Sequence, residues 1–414
     1  MDFSLFAHME RVDGTDSHET LYSDFIDLCK MADQGGMRAI WTGEHHGMDF
    51  TIAPNPFLSL VDIAHHTQNV RLGTGTVIAP FWHPIALAGE AAATDLMTKG
   101  RLEIGIARGA YSFEYERIMP GMDAWEAGQR MRETAPALRK LWQGDYAHEG
   151  EFFQFPATTS APKPVQENGP PIWIAARDPN SHEFAVANDF NVQVTPLWQG
   201  MEEITSLMER FNVAKAQNPE KSPKIMLLHH TYVAKDAADA DQAIQELTKF
   251  YCYFGAWFQN KRPVTQGAIE QLTGQDIADN KMISAVKLAR DLTVVRPVRP
   301  VAQPRPAQLE PPVLQVERAQ LRVAVGAVTQ HAVDQRAVVV AVPEPAKHAH
   351  RPPIGPVRLG QDMAQRVQRG VDHHPEAVAR RRGAEHREHD EVALGKGNIA
   401  RCPRNDTPCR RQNC

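Results

Sequence analysis

Cysteine is sparse in this chain. The five residues at positions 29, 252, 402, 409 and 414 show no C-x-x-C spacing, so a zinc site is not expected, nor any other metal centre, and a reduced, cytoplasmic setting is the default expectation. No apolar run approaches the 18 residues needed to span a bilayer. The opening MDFSLFAHMERVDG has an acid at position 2 and too short an apolar stretch for a secretory signal. Strong charge of one sign is also missing. A net −5 over 414 residues points to neither a nucleic acid nor an anionic membrane as partner. The last deficiency is local: all 16 Phe, 7 Trp and 7 Tyr lie before residue 296.

Residues 296–414 hold 20 Lys+Arg against 12 Asp+Glu, with 18 of those 20 being arginine, and 14 of the 30 prolines. The remainder is therefore markedly acidic. Without large aromatic side chains, and with prolines that give no ladder donor, this stretch predicts no strand–helix alternation. Two readings fit it. One is a disordered Pro/Arg-rich extension. The other is a shifted reading frame, since misread GC-rich codons enrich Ala, Val, Arg and Pro at the expense of aromatics. A nucleic-acid-binding tail fits less well, because its acids are interspersed and nothing can stack on bases. The expected organisation is a folded unit over 1–295 and a tail over 296–414.

Within 1–295, apolar strands alternate with amphipathic helices. The stretch 70–111, NVRLGTGTVIAPFWHPIALAGEAAATDLMTKGRLEIGIARGAY, organises the rest. It reads as a strand at 70–77, a helix opened by Pro84 and closed near Lys99-Gly100, and a strand at 101–107. Two short strands joined by a helix of this length imply a parallel βαβ unit. Further strands are predicted at 3–8, 38–42, 172–176, 191–195 and 224–233. Helices are predicted at 19–34, 57–66, 123–143, 201–216, 237–254 and 265–292, with another beginning at 181. Residues 109–121 read as a loop and 146–155 as an excursion hairpin. About seven strands with helices between them predict an α/β barrel of the TIM type, incomplete at its C-terminal end. In such a barrel the strand C-termini line the active site. Here they are Gly43-Glu44-His45-His46, Gly73-Thr74-Gly75-Thr76 and Ala107-Arg108-Gly109.

Each of these residues has a plain reading beside a chemical one. Glu44-His45-His46 cannot form a metal triad, because adjacent side chains on extended backbone face opposite ways. That alternation lets one histidine face the barrel mouth, where an imidazole suits acid–base work near neutral pH. Arg108 is either a surface ion-pair partner or a phosphate contact, for which its guanidinium fork is well shaped. Asp178-Pro179-Asn180-Ser181 is either an ordinary N-cap or a helix N-terminus offering N–H groups to an anion. Trp82, His83 and Trp198 are either core aromatics or cavity lining. Gly73-Thr74-Gly75 is no dinucleotide fingerprint, lacking its third glycine.

GEHH at 43–46, the LGTG strand with HP at 83–84, TDLMTKGRLEIGIARGAY at 94–111 and IAARDP at 174–179, in this order and spacing, resemble the luciferase-like monooxygenases, the flavin-dependent barrels that include bacterial luciferase. The resemblance covers about residues 1–295 and breaks after Asp291-Leu292-Thr293. It implies FMN, used as FMNH2 delivered by a separate flavin reductase, and oxygenation of a small organic substrate. It assigns catalysis to His45 and the flavin phosphate to Arg108 and Ser181. Ala176 and Arg177 join the cofactor site. Arg177 stands where luciferase has an acid, adding a cation, and Ala107 stands where luciferase has a cysteine. A non-prolyl cis peptide is implied at Gly75-Thr76 beneath the flavin ring. Trp82, His83 and Trp198 are taken, on their own residue chemistry, as the candidates for substrate contact. The resemblance also implies a homodimer or related heterodimer through helices 57–66 and 84–99, whose Ala86, Ala88, Gly89 and Ala91 allow close packing. A deazaflavin (F420)-dependent oxidoreductase of the same fold and a non-catalytic flavin binder or defective fragment stay open as alternatives.

Overall fold

The computed structural model describes residues 2–271, apart from 13, 198, 199, 233 and 235, together with Val294–Val295 and Val338–Val342. In chain order, β1 (Asp2–Phe6) leads to α1 (His18–Gln34), β2 (Ala39–Thr42), α2 (Pro56–His66), β3 (Arg71–Thr74) and β4 (Val77–Ile78). Next come α3 (Pro84–Met97), β5 (Leu102–Ala107), α4 (Ser112–Ile118) and α5 (Ala124–Gln143). A hairpin of β6 (Tyr146–Glu149) and β7 (Gln154–Thr158) precedes β8 (Ile172–Ala175), α6 (Pro179–Ala187), β9 (Asn191–Val194), α7 (Gly200–Gln217), β10 (Ile225–Tyr232) and α8 (Ala237–Gln259). A second hairpin, β11 (Val264–Thr265) with β12 (Ala268–Ile269), follows, and then β13 (Val294–Val295) and β14 (Val338–Val342). All of these elements lie in the compact unit Met1–Ala346.

Local chemistry sets the helix starts. Ser17, Asp123, Asp178 and Asp236 cap helices by accepting from backbone N–H groups of the first turn. Pro56, Pro84 and Pro179 occupy first-turn positions, where their missing N–H costs nothing. One face of α1, carrying Phe25, Leu28, Cys29 and Ala32, is buried at the spacing that an amphipathic helix turns toward a sheet. The central strands are buried along most of their length, β2 at every position, as expected of parallel strands covered on both faces.

β1, β2, β3, β5, β8, β9 and β10 lie side by side in that order and run parallel. β14 pairs antiparallel with both β10 and β1 and closes the ring. The fold is thus the predicted TIM-like α/β barrel, with one difference. The C-terminal gap expected from composition is bridged by the valine-rich run Val338–Val342, whose N–H and C=O groups pair with two edges that would otherwise be open. Apart from those five residues, the expected tail over 296–414 falls outside the described residues.

Two further expectations change. The predicted loop at 109–121 contains α4, a seven-residue helix with Phe113, Glu114 and Tyr115 buried. The predicted helix over 265–292 begins instead as the β11–β12 hairpin, turned by Gln266 and Gly267, both at positive φ. Residues 272–293 lie outside the described set.

The barrel interior is filled by Phe6, Trp41, Trp173 and Met226. Near the strand starts it is plugged by Glu103, which is fully buried. Glu103 accepts from Arg38 (2.6 Å), Arg71 (2.5 Å) and Trp173 Nε1 (2.7 Å), partners without which a buried carboxylate would be very costly. At the other end, β3 breaks off at Thr74. The Thr74 hydroxyl donates to the Gly105 carbonyl and accepts from the Gly105 N–H, both at 2.8 Å. It replaces the ladder bonds lost where the strand departs. A Cβ at Gly105 would stand 2.1 Å from the Thr74 carbonyl, so only glycine permits this approach.

Candidate active site

The strand C-termini open into a cavity of about 670 Å³. His45, just past β2, lines it. Its Nδ1 lies 3.0 Å from Glu114 Oε2, and the other Glu114 oxygen accepts from the His46 N–H at 2.8 Å. Glu114 is 1% exposed. A carboxylate here accepts from Nδ1–H, which leaves the Nε2 lone pair of His45 as the free acid–base position. The ring is also boxed by Phe50 and Tyr111, with centroids 5.1 and 5.2 Å away.

His46 points elsewhere, as the alternation requires. Its Nε2 meets Glu44 at 2.7 Å, and buried Glu44 also accepts from the Ile78 N–H (2.8 Å) and Trp82 Nε1 (3.0 Å). Burial acts to lower the His46 pKa, but the bond to Glu44 and the charges of Glu44 and Glu114 outweigh it, and the net shift is upward. His46 therefore ties down a buried carboxylate, while His45 is offered to the cavity.

Gly75 and Thr76 lie on the cavity wall, and the peptide bond between them is cis. Arg108, Ala176, Arg177 and Ser181 line the same cavity. Arg108 Nη1 donates to the Ala124 carbonyl at 3.0 Å. Asp178 caps α6, accepting from the Ser181 N–H (3.0 Å) and hydroxyl (2.5 Å). Burial acts to raise the Asp178 pKa, but the bonds from Ser181 and the charge of Arg132 hold it below the usual carboxylate range. Arg177, expected as an extra cation for phosphate, is instead bound to Glu203 and to the Thr195 carbonyl. Its charge is already matched by a carboxylate.

Of the three residues expected near substrate, Trp82 and His83 do not line the cavity. Trp82 serves Glu44 and packs on Phe57. His83 caps α3 through Nδ1 and packs on Phe153 and Phe155. An indole N–H and an imidazole each found a structural partner close by, and that took both away from the mouth. Trp198 lies outside the described residues.

Several cavity residues escaped the sequence reading. Arg132 lines the cavity from α5, and Glu114 backs it from α4 without lining it; no local pattern reveals the orientation of either helix. His8 follows β1, and His230 is on β10 with its Nδ1 2.7 Å from the Tyr251 hydroxyl. Burial, aided by His229, pushes the His230 pKa down to about 3. Burial and then His45 hold His8 well below its usual value, against the opposing pull of the Gly75 carbonyl. The alternation of strand residues was the one available signal for His230, and it could not choose between His229 and His230.

The donor set fits FMN. The Gln193 Nε2 is buried without a partner, and the residue lines the cavity, so it suits an acceptor of the ring system. Arg108, Arg132 and the N-terminus of α6 with Ser181 suit a phosphate. Among the described residues, no cluster of three or more His, Cys, Asp or Glu could hold a metal ion, and no helix is long and apolar enough to cross a membrane.

His182, in the first turn of α6, is fully buried. Burial and Arg210 push its pKa down to about 4, against Asp178 and the Ala176 backbone. The unfolded chain then binds the extra proton more readily. Stability is complete above the unfolded value near 6.5 and is lost as pH falls toward 4. By pH 5 the loss from this group is about 2 kcal/mol. His182→Leu is expected to flatten the decline in melting temperature between pH 7 and 5. An unchanged slope would remove His182 from the acid response.

Comparison with known proteins bears directly on this geometry. The luciferase-like monooxygenase family model matches residues 1–290. The oxygenase component of a flavin-dependent trigonelline monooxygenase from Acinetobacter baylyi is 64% identical over 280 residues, covering 67% of this chain and 78% of that protein. Among solved structures, the monooxygenase RslO1 from Streptomyces bottropensis superposes with a TM-score of 0.58 at 23% identity, covering 79% of this chain and 98% of that one. The oxygenating constituent of 3,6-diketocamphane monooxygenase from Pseudomonas putida, solved with FMN, gives 0.55 at 17%, covering 81% and 98%. These last two show a shared barrel. The family model spans well over half of the sequence, and with the 64% identity it establishes that this chain belongs to the luciferase-like monooxygenase family.

Proposed function

We propose that this chain is the oxygenase of a two-component flavin-dependent monooxygenase that takes FMNH2 from a separate reductase and acts on trigonelline, N-methylnicotinate, or a close relative. The observation that carries the reading is one cavity lined by two kinds of chemistry: His45, held from behind by Glu114, and the anion-binding donors of Arg108, Arg132 and Ser181. The 64% identity to a trigonelline enzyme supports the substrate and favours a flavin over a deazaflavin.

When bound, the reduced flavin supplies the electrons that split dioxygen, one atom entering the substrate and the other leaving as water. The chain's own residues bind, shield and move protons. Arg108 and the α6 N-terminus hold the phosphate. Gln193 donates to the ring system. The aromatic lining keeps water out. His45, oriented by Glu114, takes or returns a proton at Nε2. A homodimer through α2 and α3 is part of the proposal, supported by Leu58, Leu96 and Met97, which are 71%, 53% and 56% exposed on those helices. A cytoplasmic location accords with it. Residues 1–295 are proposed to carry the activity, with β14 as a closing strand supplied from beyond them.

The test is anaerobic mixing with FMNH2, then ¹⁸O2 and trigonelline. The expected result is a product bearing one ¹⁸O, formed only with oxygen and not with reduced deazaflavin. Product formation with reduced deazaflavin and no oxygen would refute the monooxygenase reading.

A further inference from the structure

The order of strands around the barrel separates the two halves of the cavity. β5 and β8, which lead into Arg108 and Arg177, are neighbours; β10, β1 and β2 occupy the opposite arc, with β14 between β10 and β1. The mouth above that opposite arc is aromatic, with Tyr111 reaching it from the loop after β5. Phe50 lies 5.5 Å from Tyr111 and 5.7 Å from Phe254 between ring centroids, and Phe258 lies 4.9 Å from Tyr111 and 4.8 Å from Phe254. All four line the cavity. The wall runs from the His45 ring, 5.1 Å from Phe50, to α8, whose Tyr251 holds His230.

We infer that this arc is the substrate side and is built for a planar aromatic cation carrying a carboxylate: the rings of Phe50, Tyr111, Phe254 and Phe258 take the cationic ring, and His230 takes the carboxylate. The inference rests on the substrate reading above and adds the residues that recognise each end. Ring faces attract a cation through their quadrupole, most strongly where water is excluded. The local charge agrees. Glu10 lines the cavity with its side chain 8% exposed. After burial, the carboxylates of Glu114 and Glu10, with Tyr253 between them in weight, push the Tyr111 phenol upward. Glu10 and Glu114 thus place two carboxylates beside this wall. At the other end, the Tyr251 hydroxyl lies 2.7 Å from His230 Nδ1; as the donor of that bond it would leave the proton of the neutral ring on Nε2. An N–H donor is what a carboxylate needs there, and a neutral one does not repel the cationic ring.

The test titrates the full chain, with oxidised FMN bound, by calorimetry. The probes are N-methylnicotinate, nicotinate, whose ring is uncharged at pH 8, and N-methylnicotinamide methylated on the ring nitrogen (1-methylnicotinamide), which keeps the cation and lacks the carboxylate. N-methylnicotinate is expected to bind at least about 10-fold more tightly than nicotinate. Phe254→Leu is expected to weaken both cations by about 5- to 30-fold and leave nicotinate within about 2-fold. His230→Phe is expected to weaken N-methylnicotinate by about 10-fold and leave N-methylnicotinamide unchanged. Equal affinity for charged and uncharged rings, or equal losses for all probes in Phe254→Leu, would overturn the inference while oxygenation of N-methylnicotinate could still stand. Charge-selective binding without any oxygenation would sink the proposed activity and uphold the site. Absence of binding by every pyridinium probe would overturn the site.

Discussion

His45→Ala is expected to slow substrate turnover by about 10²-fold or more, the range typical of a lost acid–base group, while FMN affinity stays within about 3-fold. The reason is geometric. Glu114 holds Nδ1 at 3.0 Å and the flanking rings of Phe50 and Tyr111 fix the plane, so Nε2 is presented in one orientation. None of the phosphate-end residues touches it. Glu114→Gln tests the same pair from behind. It keeps the shape but can present an amide donor to Nδ1, and it is expected to lower turnover and shift the pH profile without weakening FMN. His46→Ala should behave differently. It deprives buried Glu44 of one partner while Ile78 and Trp82 remain, so it is expected to lower the melting temperature more than the chemistry. Steady-state turnover, FMN titration and thermal melting on the three variants check the assignment. Near-normal turnover in His45→Ala would end it, and a loss confined to His46→Ala would move the role one residue along.

What could be read in advance follows from the range of each interaction. Helix starts were legible because a cap acts within three residues: Pro84, Asp123 and Asp178 announce themselves. The barrel was legible because buried parallel strands read as apolar runs between helices. The opposed directions of His45 and His46 were legible because extended backbone alternates. By contrast, Glu114 meets His45 across 69 positions of sequence, and no local pattern encodes that contact. It rides on α4, whose N-cap Tyr111 makes no capping bond from its side chain, so the helix itself went unseen. Trp82 shows the complementary limit. A tryptophan at a strand mouth can line a cavity or satisfy a buried acid, and only the position of Glu44 decides. Val338–Val342 shows a third limit: five apolar residues in an Arg/Pro-rich setting carry no signal of where they pair.

Arg108→Ala is expected to weaken FMN by about 10- to 150-fold and riboflavin by no more than about 3-fold. The first figure is the roughly 1.5–3 kcal/mol of a charge-assisted hydrogen bond expressed as affinity. The difference arises because only FMN carries the phosphate. Arg108 is singled out among the arginines of this end by what each already holds. Arg177 is matched by Glu203 and the Thr195 carbonyl. Arg132 lies over the Phe184 ring, 4.7 Å from its centroid. Arg108 donates from one nitrogen to the Ala124 carbonyl, which leaves most of a five-donor fork for an anion. Arg177→Ala is therefore expected to reduce stability, by stripping buried Glu203 of a cation, more than it reduces FMN affinity. Fluorescence titration of both flavins against both variants separates the cases. Equal weakening of FMN and riboflavin in Arg108→Ala would place this arginine away from the phosphate. A larger selective loss in Arg177→Ala would mean that Glu203 releases its partner when the cofactor binds.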